Sequence, residues 1–156
     1  MRNSHEMPGH LARRFQQMAV TMFLVEVSEA GFDLTPVQYA ALATVQTNPG
    51  IDQITLAGLI TYDRTTITRV VDRLVQLGLL LRRASTRDRR ARELAVTEEG
   101  QRTLREITPA VEAAQRMLVR GLTETETAEL IRLLRKAIMV SDDLSRAYCS
   151  AYQDTQ

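Results

Sequence analysis

The sequence predicts a mainly α fold that carries one small β-hairpin. Three observations predict it. Apolar residues recur at helical spacing along most of the 156-residue chain. Helix starts are written at Thr35-Pro36, Asp52, Thr97 and Thr123, and helix stops at Gly31, Asn48-Pro49-Gly50, Gly78 and Gly121. One stretch, around residues 79–96, reads instead as two short β-capable segments. An apolar share of 44% supplies an ample core, and an aromatic share of 4% with no Trp makes its packing aliphatic.

The first helix is expected over His10–Val27. Leu11, Phe15, Met18, Met22 and Val25 step by 4, 3, 4 and 3 residues, a seam suited to packing on another helix. Thr35-Pro36-Val37-Gln38 opens the second helix. Thr35 caps, Pro36 fits the first turn, and Gln38 completes a capping box. Asp52 opens a short third helix to Ile60, with Ile54, Leu56, Leu59 and Ile60 expected inside. After a tight connection at Thr61-Tyr62, Asp63 caps a fourth helix to Leu77. Its inward stripe is Ile67, Val70, Val71, Leu74 and Leu77; its opposite face presents Arg64, Thr65, Thr68, Arg69, Asp72 and Gln76.

Leu79–Arg83 and Glu93–Val96 are the β-capable segments. The polar, basic stretch Ala84–Arg92 joins them into a hairpin. Thr97-Glu98-Glu99 then caps a long helix with a seam at Leu104, Ile107, Val111, Ala114 and Leu118. Pro109 is expected to bend that helix or break it near Thr108. Thr123 and Glu126 form a capping box for a last helix through Leu144, with Leu130, Leu134 and Ile138 inward.

Composition narrows the function. No apolar run is long enough to span a membrane, and the N-terminus has no apolar signal stretch. The single cysteine, Cys149, cannot form an internal disulfide, so a cytoplasmic setting is expected. No nucleophile–base motif, Gly-rich phosphate loop or metal motif is present, so neither catalysis nor a cofactor is expected. His5 and His10 lack the Cys or Glu neighbours of a metal site. The net charge of +1 is uninformative, but its distribution is not. Residues 61–92 hold nine arginines against three aspartates, a surplus of six. A local positive field on a near-neutral chain suits a phosphate backbone.

Two short helices, a tight turn and a basic hairpin make a winged helix-turn-helix. Its second helix can lie in a DNA major groove and read base edges from its first turns. The candidate DNA-binding residues are Arg64, Thr65, Thr66, Thr68, Arg69 and Arg73 on that helix. Arg87, Asp88, Arg89 and Arg90 in the wing complete the set, with Arg89 or Arg90 suited to the adjacent minor groove. The Arg82–Arg92 cluster reads as a DNA contact rather than a solvated loop because it directly follows a capped helix-turn-helix. An RNA-binding role is disfavoured, since the reading helix has no aromatic past Tyr62 on which bases would stack.

Asp88-Arg89-Arg90-Ala91-Arg92-Glu93-Leu94-Ala95-Val96-Thr97-Glu98-Glu99-Gly100 resembles the wing signature of the MarR family, D-x-R followed by L-T-x-x-G. Val96 stands where the family usually has Leu. Leu34–Tyr39 resembles the family's second-helix opening, and Asp63–Leu74 followed by Gly78-Leu79 resembles its recognition helix. The resemblance runs in register over residues 8–140. It implies a triangular homodimer in which the first and last two helices of each subunit interlock. It also implies a pseudo-palindromic operator and a repressor released by a small ligand. It further implies that Asp88 orients a wing arginine, here Arg90, and that Thr65, Thr68 and Arg69 face the major groove. Redox-sensing members resemble one another in a cysteine near the first helix, which this chain lacks.

The opening His10-Leu11-Ala12-Arg13-Arg14 resembles members that control aromatic-acid breakdown. This implies a small aromatic carboxylate as effector: a hydroxylated nicotinate or benzoate, or a thioester of one. His10, Arg14, Phe15, Met18 and Tyr39 are the candidate ligand-binding residues. For His10 the alternative is an interface histidine, and for Tyr39 with Met18, Met22 and Met117 it is core packing. The expected organisation is a dimerisation helix over 1–32, the DNA-binding head over 33–97 and dimerisation helices over 98–156. The alternative to an effector-released repressor is an effector-independent regulator or a protein-interaction module.

Overall fold

The computed structural model describes residues 6–60, 64–84 and 92–153. Among them, the elements in order are α1 (Pro8–Glu29), α2 (Pro36–Thr47), α3 (Gln53–Leu59), α4 (Arg64–Gln76), β1 (Leu80–Ala84), β2 (Arg92–Val96), α5 (Glu98–Leu118) and α6 (Glu124–Gln153). The fold is mainly α with one antiparallel hairpin, as expected. Two compact units divide the chain, residues 1–118 and 119–156. The Asp63 cap and the wing residues Arg87, Asp88, Arg89 and Arg90 lie outside the described residues, as does His5.

In the first unit, α2, α3 and α4 enclose a core of Leu42, Val45, Leu56, Ile67, Val71 and Leu74, all buried. The hairpin closes it with Leu80 and Leu94. β1 pairs with β2 in the register Leu80↔Val96 to Ala84↔Arg92. A short third pairing, absent from the sequence reading, ties the hairpin back to the start of α3. Asp52 bridges Glu93, and the Leu94 N–H donates to the Ile51 carbonyl at 2.8 Å.

Local chemistry explains the helix starts. The Thr35 hydroxyl accepts from the Gln38 N–H at 3.3 Å, and the Thr35 N–H donates to Gln38 Oε1 at 2.9 Å, completing the capping box. Asp52 Oδ1 accepts from the Ile54 and Thr55 N–H groups, both at 2.9 Å, while Oδ2 accepts from the Thr55 hydroxyl at 2.7 Å. The Thr55 hydroxyl first, then the backbone N–H donors, hold the Asp52 carboxyl below its ordinary 3.8. A depressed carboxylate stabilises the fold above its unfolded pKa, and that stability fades as pH falls below 3.8. Asp52→Ala is therefore expected to cost about 1 kcal/mol in urea denaturation at neutral pH. Asp52→Asn should keep most of the cap and remove this acid-side dependence.

Several expectations are corrected or narrowed. Ile54 and Leu59 are 62% and 56% exposed, not buried. A seven-residue helix buries one face, here Leu56 and Ala57, and both residues sit about 100° or more away from it. Leu77 is likewise exposed, because α4 has ended at Gln76. Of the two outcomes expected at Pro109, a bend or a break, the break does not occur: α5 runs through it, and the Thr108 hydroxyl donates to the Leu104 carbonyl at 2.6 Å beside the missing N–H. Finally, the middle of the α5 seam is already covered inside the chain, while Leu104 and Leu118 at its ends are half-buried. Ile107, Val111 and Ala114 are buried within the first unit, where Phe23 and Val27 of α1 join the same core.

The α1 seam behaves differently. Leu11, Met18 and Val25 are about half exposed, while Phe15 and Met22 are half-buried. The second unit is dominated by α6, which extends nine residues past the expected Leu144. The Thr123–Glu126 capping box opens it, with Glu126 Oε2 accepting from the Thr123 N–H at 2.8 Å. Of its expected inward residues, Leu130 is half-buried but Leu134 and Ile138 are exposed, as are Ile131 and Met139. No helix among the described residues is long and apolar enough to cross a membrane.

Candidate nucleic-acid interface

The candidate interface is built on α4. Ile67, Val70, Val71 and Leu74 turn into the core, which forces Thr65, Thr68, Arg69, Asp72, Arg73 and Gln76 outward, with Val75 half-buried at the margin. Thr66 is half-buried at the edge of the face. The backbone of Arg64 opens the helix. Thr65, Thr66, Thr68, Arg69 and Arg73 are thus brought onto or beside one exposed surface.

Sequence reasoning missed the residue that links this surface to its neighbours. Gln53, in the first turn of α3, donates from Nε2 to the Thr68 Oγ1 at 2.8 Å. Its Oε1 accepts from Arg82 Nη2 on β1 at 3.2 Å. The same Arg82 nitrogen pairs with Asp72 Oδ1 on α4 at 2.6 Å. Nothing in the periodicity of α3 marks Gln53, because the contact spans fifteen residues. Arg82, at one end of the predicted Arg82–Arg92 cluster, is therefore turned to its own protein. Its neighbour Arg83 lies 3.6 Å from the largely buried Glu93.

The positive end of a helix can attract phosphate. For α3, the first-turn N–H groups of Ile54 and Thr55 already donate to Asp52, so that end is satisfied internally.

A second joint sits at the other end of α4. Gly78 adopts φ 72° and turns the chain into β1. The Thr97 hydroxyl donates to the Gly78 carbonyl at 2.6 Å and accepts from the Gly100 N–H at 3.0 Å. The Thr97 N–H donates to the Leu79 carbonyl at 3.1 Å. One threonine thus caps α5 and anchors the turn that ends α4. Gly100 lets the two backbones meet: a Cβ there would lie 2.2 Å from the Leu79 carbonyl oxygen.

The predicted ligand residues are divided. Arg14 and Met18 line a shallow cleft on α1 of about 270 Å³, together with Gln17, Thr21 and Met22. His10 and Phe15 are half-buried on the same helix but do not line it. Tyr39 is elsewhere, packed against Phe23 with ring centroids 5.8 Å apart. No cluster of three metal-ligating side chains occurs among the described residues.

The family model for the MarR family matches residues 34–91, which cover α2 to the wing. A Thauera aromatica protein named for transcriptional regulation of the hcr operon is 33% identical over 135 residues, 84% of this chain and 78% of that protein. The chain belongs to the MarR family. Solved MarR-type structures agree over nearly the whole chain. The PcaV transcriptional regulator of Streptomyces coelicolor, in complex with its natural ligand, superposes with a TM-score of 0.81 at 33% identity, covering 90% of this chain and 98% of that one. BpsR of Bordetella bronchiseptica, whose DNA binding is regulated by 6-hydroxynicotinic acid, gives 0.82 at 26% identity, covering 88% and 96%. This MarR-family chain is accordingly a winged-helix, DNA-binding transcriptional regulator and not an enzyme.

Proposed function

We propose that the chain is a homodimeric repressor of a pseudo-palindromic operator, released by a small aromatic carboxylate. The observation that carries the operator reading is α4, whose apolar residues are buried behind an exposed face of threonines and arginines. Thr65, Thr66 and Thr68 read base edges; Arg64, Arg69 and Arg73 contact phosphate or guanine; Arg87, Asp88, Arg89 and Arg90 form the DNA-contacting wing, with Arg89 or Arg90 in the minor groove and Asp88 orienting Arg90. Residues 33–97 act as the reading head, 1–32 and 98–156 as the dimerisation parts, and the protein works in the cytoplasm beside its DNA.

The exposed apolar residues of α1 and α6 support dimerisation. The aromatic-acid effector is supported by the likeness to BpsR and by Arg14, a guanidinium suited to a carboxylate, beside Met18 in the α1 cleft. His10, Phe15 and Tyr39 complete the proposed effector set. The effector favours a spacing of the two reading heads that no longer matches one DNA turn, and so lowers operator affinity by linkage.

Selection of bound fragments from random genomic DNA tests the reading. A palindrome with half-sites about 10 base pairs apart is expected; failure to enrich any duplex overturns it. Titration of that duplex complex with hydroxylated nicotinates, benzoates and their thioesters tests release. Unchanged affinity across the whole panel removes the effector.

The two kinds of contact separate by mutation. Arg90→Ala is expected to weaken binding to every duplex and to reduce the salt slope by about one. Thr68→Ala should instead alter sequence preference at one base step, read by repeating the selection.

A further inference from the structure

We propose that Arg82 and Gln53 are positioning residues for sequence readout, which fix Thr68 on the groove face without themselves contacting DNA. The inference rests on the operator reading above and adds residues to it. A guanidinium carries only donors, so the atom of Gln53 that meets Arg82 Nη2 at 3.2 Å must be its amide oxygen. That requirement sets the amide orientation. The Nε2 is then directed at Thr68 and donates to its Oγ1 at 2.8 Å. The Thr68 hydroxyl oxygen is thereby held as an acceptor within the protein, on the exposed face of α4.

Asp72 gives the relay its anchor. Its carboxylate holds the same Arg82 nitrogen at 2.6 Å, one turn further along α4 from Thr68. Three elements, α3, α4 and β1, are therefore tied through one partly buried guanidinium. Its charge is balanced by Asp72, so it adds little to the field that attracts phosphate. Freed from Arg82, the Gln53 amide can flip end for end, and Thr68 then meets an acceptor instead of a donor. Discrimination at the base step facing Thr68 depends on which end is presented.

The test uses the full chain and the selected operator, with duplexes substituted at the base step that Thr68→Ala affects. Arg82→Met and Gln53→Glu are the variants; the second keeps an acceptor for Arg82 but loses the donor to Thr68. Each is expected to reduce discrimination at that step about fivefold to tenfold, the loss of one base-edge contact. The salt slope of Arg82→Met should stay that of the wild type. Adding Arg82→Met to Thr68→Ala should cause no further loss of discrimination.

Losses that simply add in the double variant overturn the proposal. So does a lowered thermal midpoint with discrimination intact in both single variants, which would make the relay structural only. A uniform loss on all duplexes with a slope reduced by about one would make Arg82 a direct phosphate contact, also overturning it. If the wild-type chain enriches no duplex, the operator reading fails and the positioning role fails with it. Wild-type enrichment with unchanged discrimination in both variants fails the positioning role alone.

Discussion

Gly100→Ala is expected to destabilise the first unit by at least about 3 kcal/mol, the scale of severe overpacking in a closed site. The added Cβ would lie 2.2 Å from the Leu79 carbonyl oxygen and 2.7 Å from Val96 Cγ1. The first contact is with backbone, which cannot rotate away. Relief requires α5 to retreat from the turn that ends α4, breaking the Thr97 bonds to Gly78 and Leu79. Urea denaturation should show the loss, and operator binding should fall with it because the end of α4 is displaced. Gly121→Ala serves as the control. Nothing lies within 4 Å of its Cβ position, so a change within about 0.5 kcal/mol is expected there.

The second large effect concerns assembly. Leu134 and Ile138 stand one turn apart on α6, 36% and 56% exposed. On the proposed reading a second chain covers them. Leu134→Glu combined with Ile138→Glu would bury two carboxylates in that interface and should leave the chain monomeric by sedimentation. Operator affinity should drop by about 100-fold or more, since binding both half-sites as one body is lost. The fold of residues 1–118 should persist, as judged by an unchanged urea midpoint for the first unit. A variant that stays dimeric would remove α6 from the interface.

The sequence exposed what depends on local chemistry. The caps at Thr35, Asp52 and Thr123 need only residues within one turn, and each forms as expected. The inward stripe of α4 was legible because thirteen residues give several turns of periodicity. On α3, only seven residues long, the pattern was too short to separate Leu56 from Ile54 and Leu59. The destination of a seam was not legible at all. Equivalent repeats on α1 and α5 end differently, because burial depends on which helices meet, and α5 finds its cover inside the chain. The Gln53–Arg82 contact was hidden for the same reason: it joins residues twenty-nine apart. The wing signature was visible as a pattern, but the reason for its glycine emerges only from the close approach to Leu79.

The unbroken course of α5 has a mechanical consequence. Its 21 residues make a beam about 30 Å long, bolted at one end to the terminus of α4 through Thr97. A tilt of about 10° imposed at the far end would carry the bolted end about 5 Å, more than the roughly 3.4 Å rise of one base pair. With no break at Pro109, a rotation about the Leu118 end would be carried along the whole helix to the turn that ends α4.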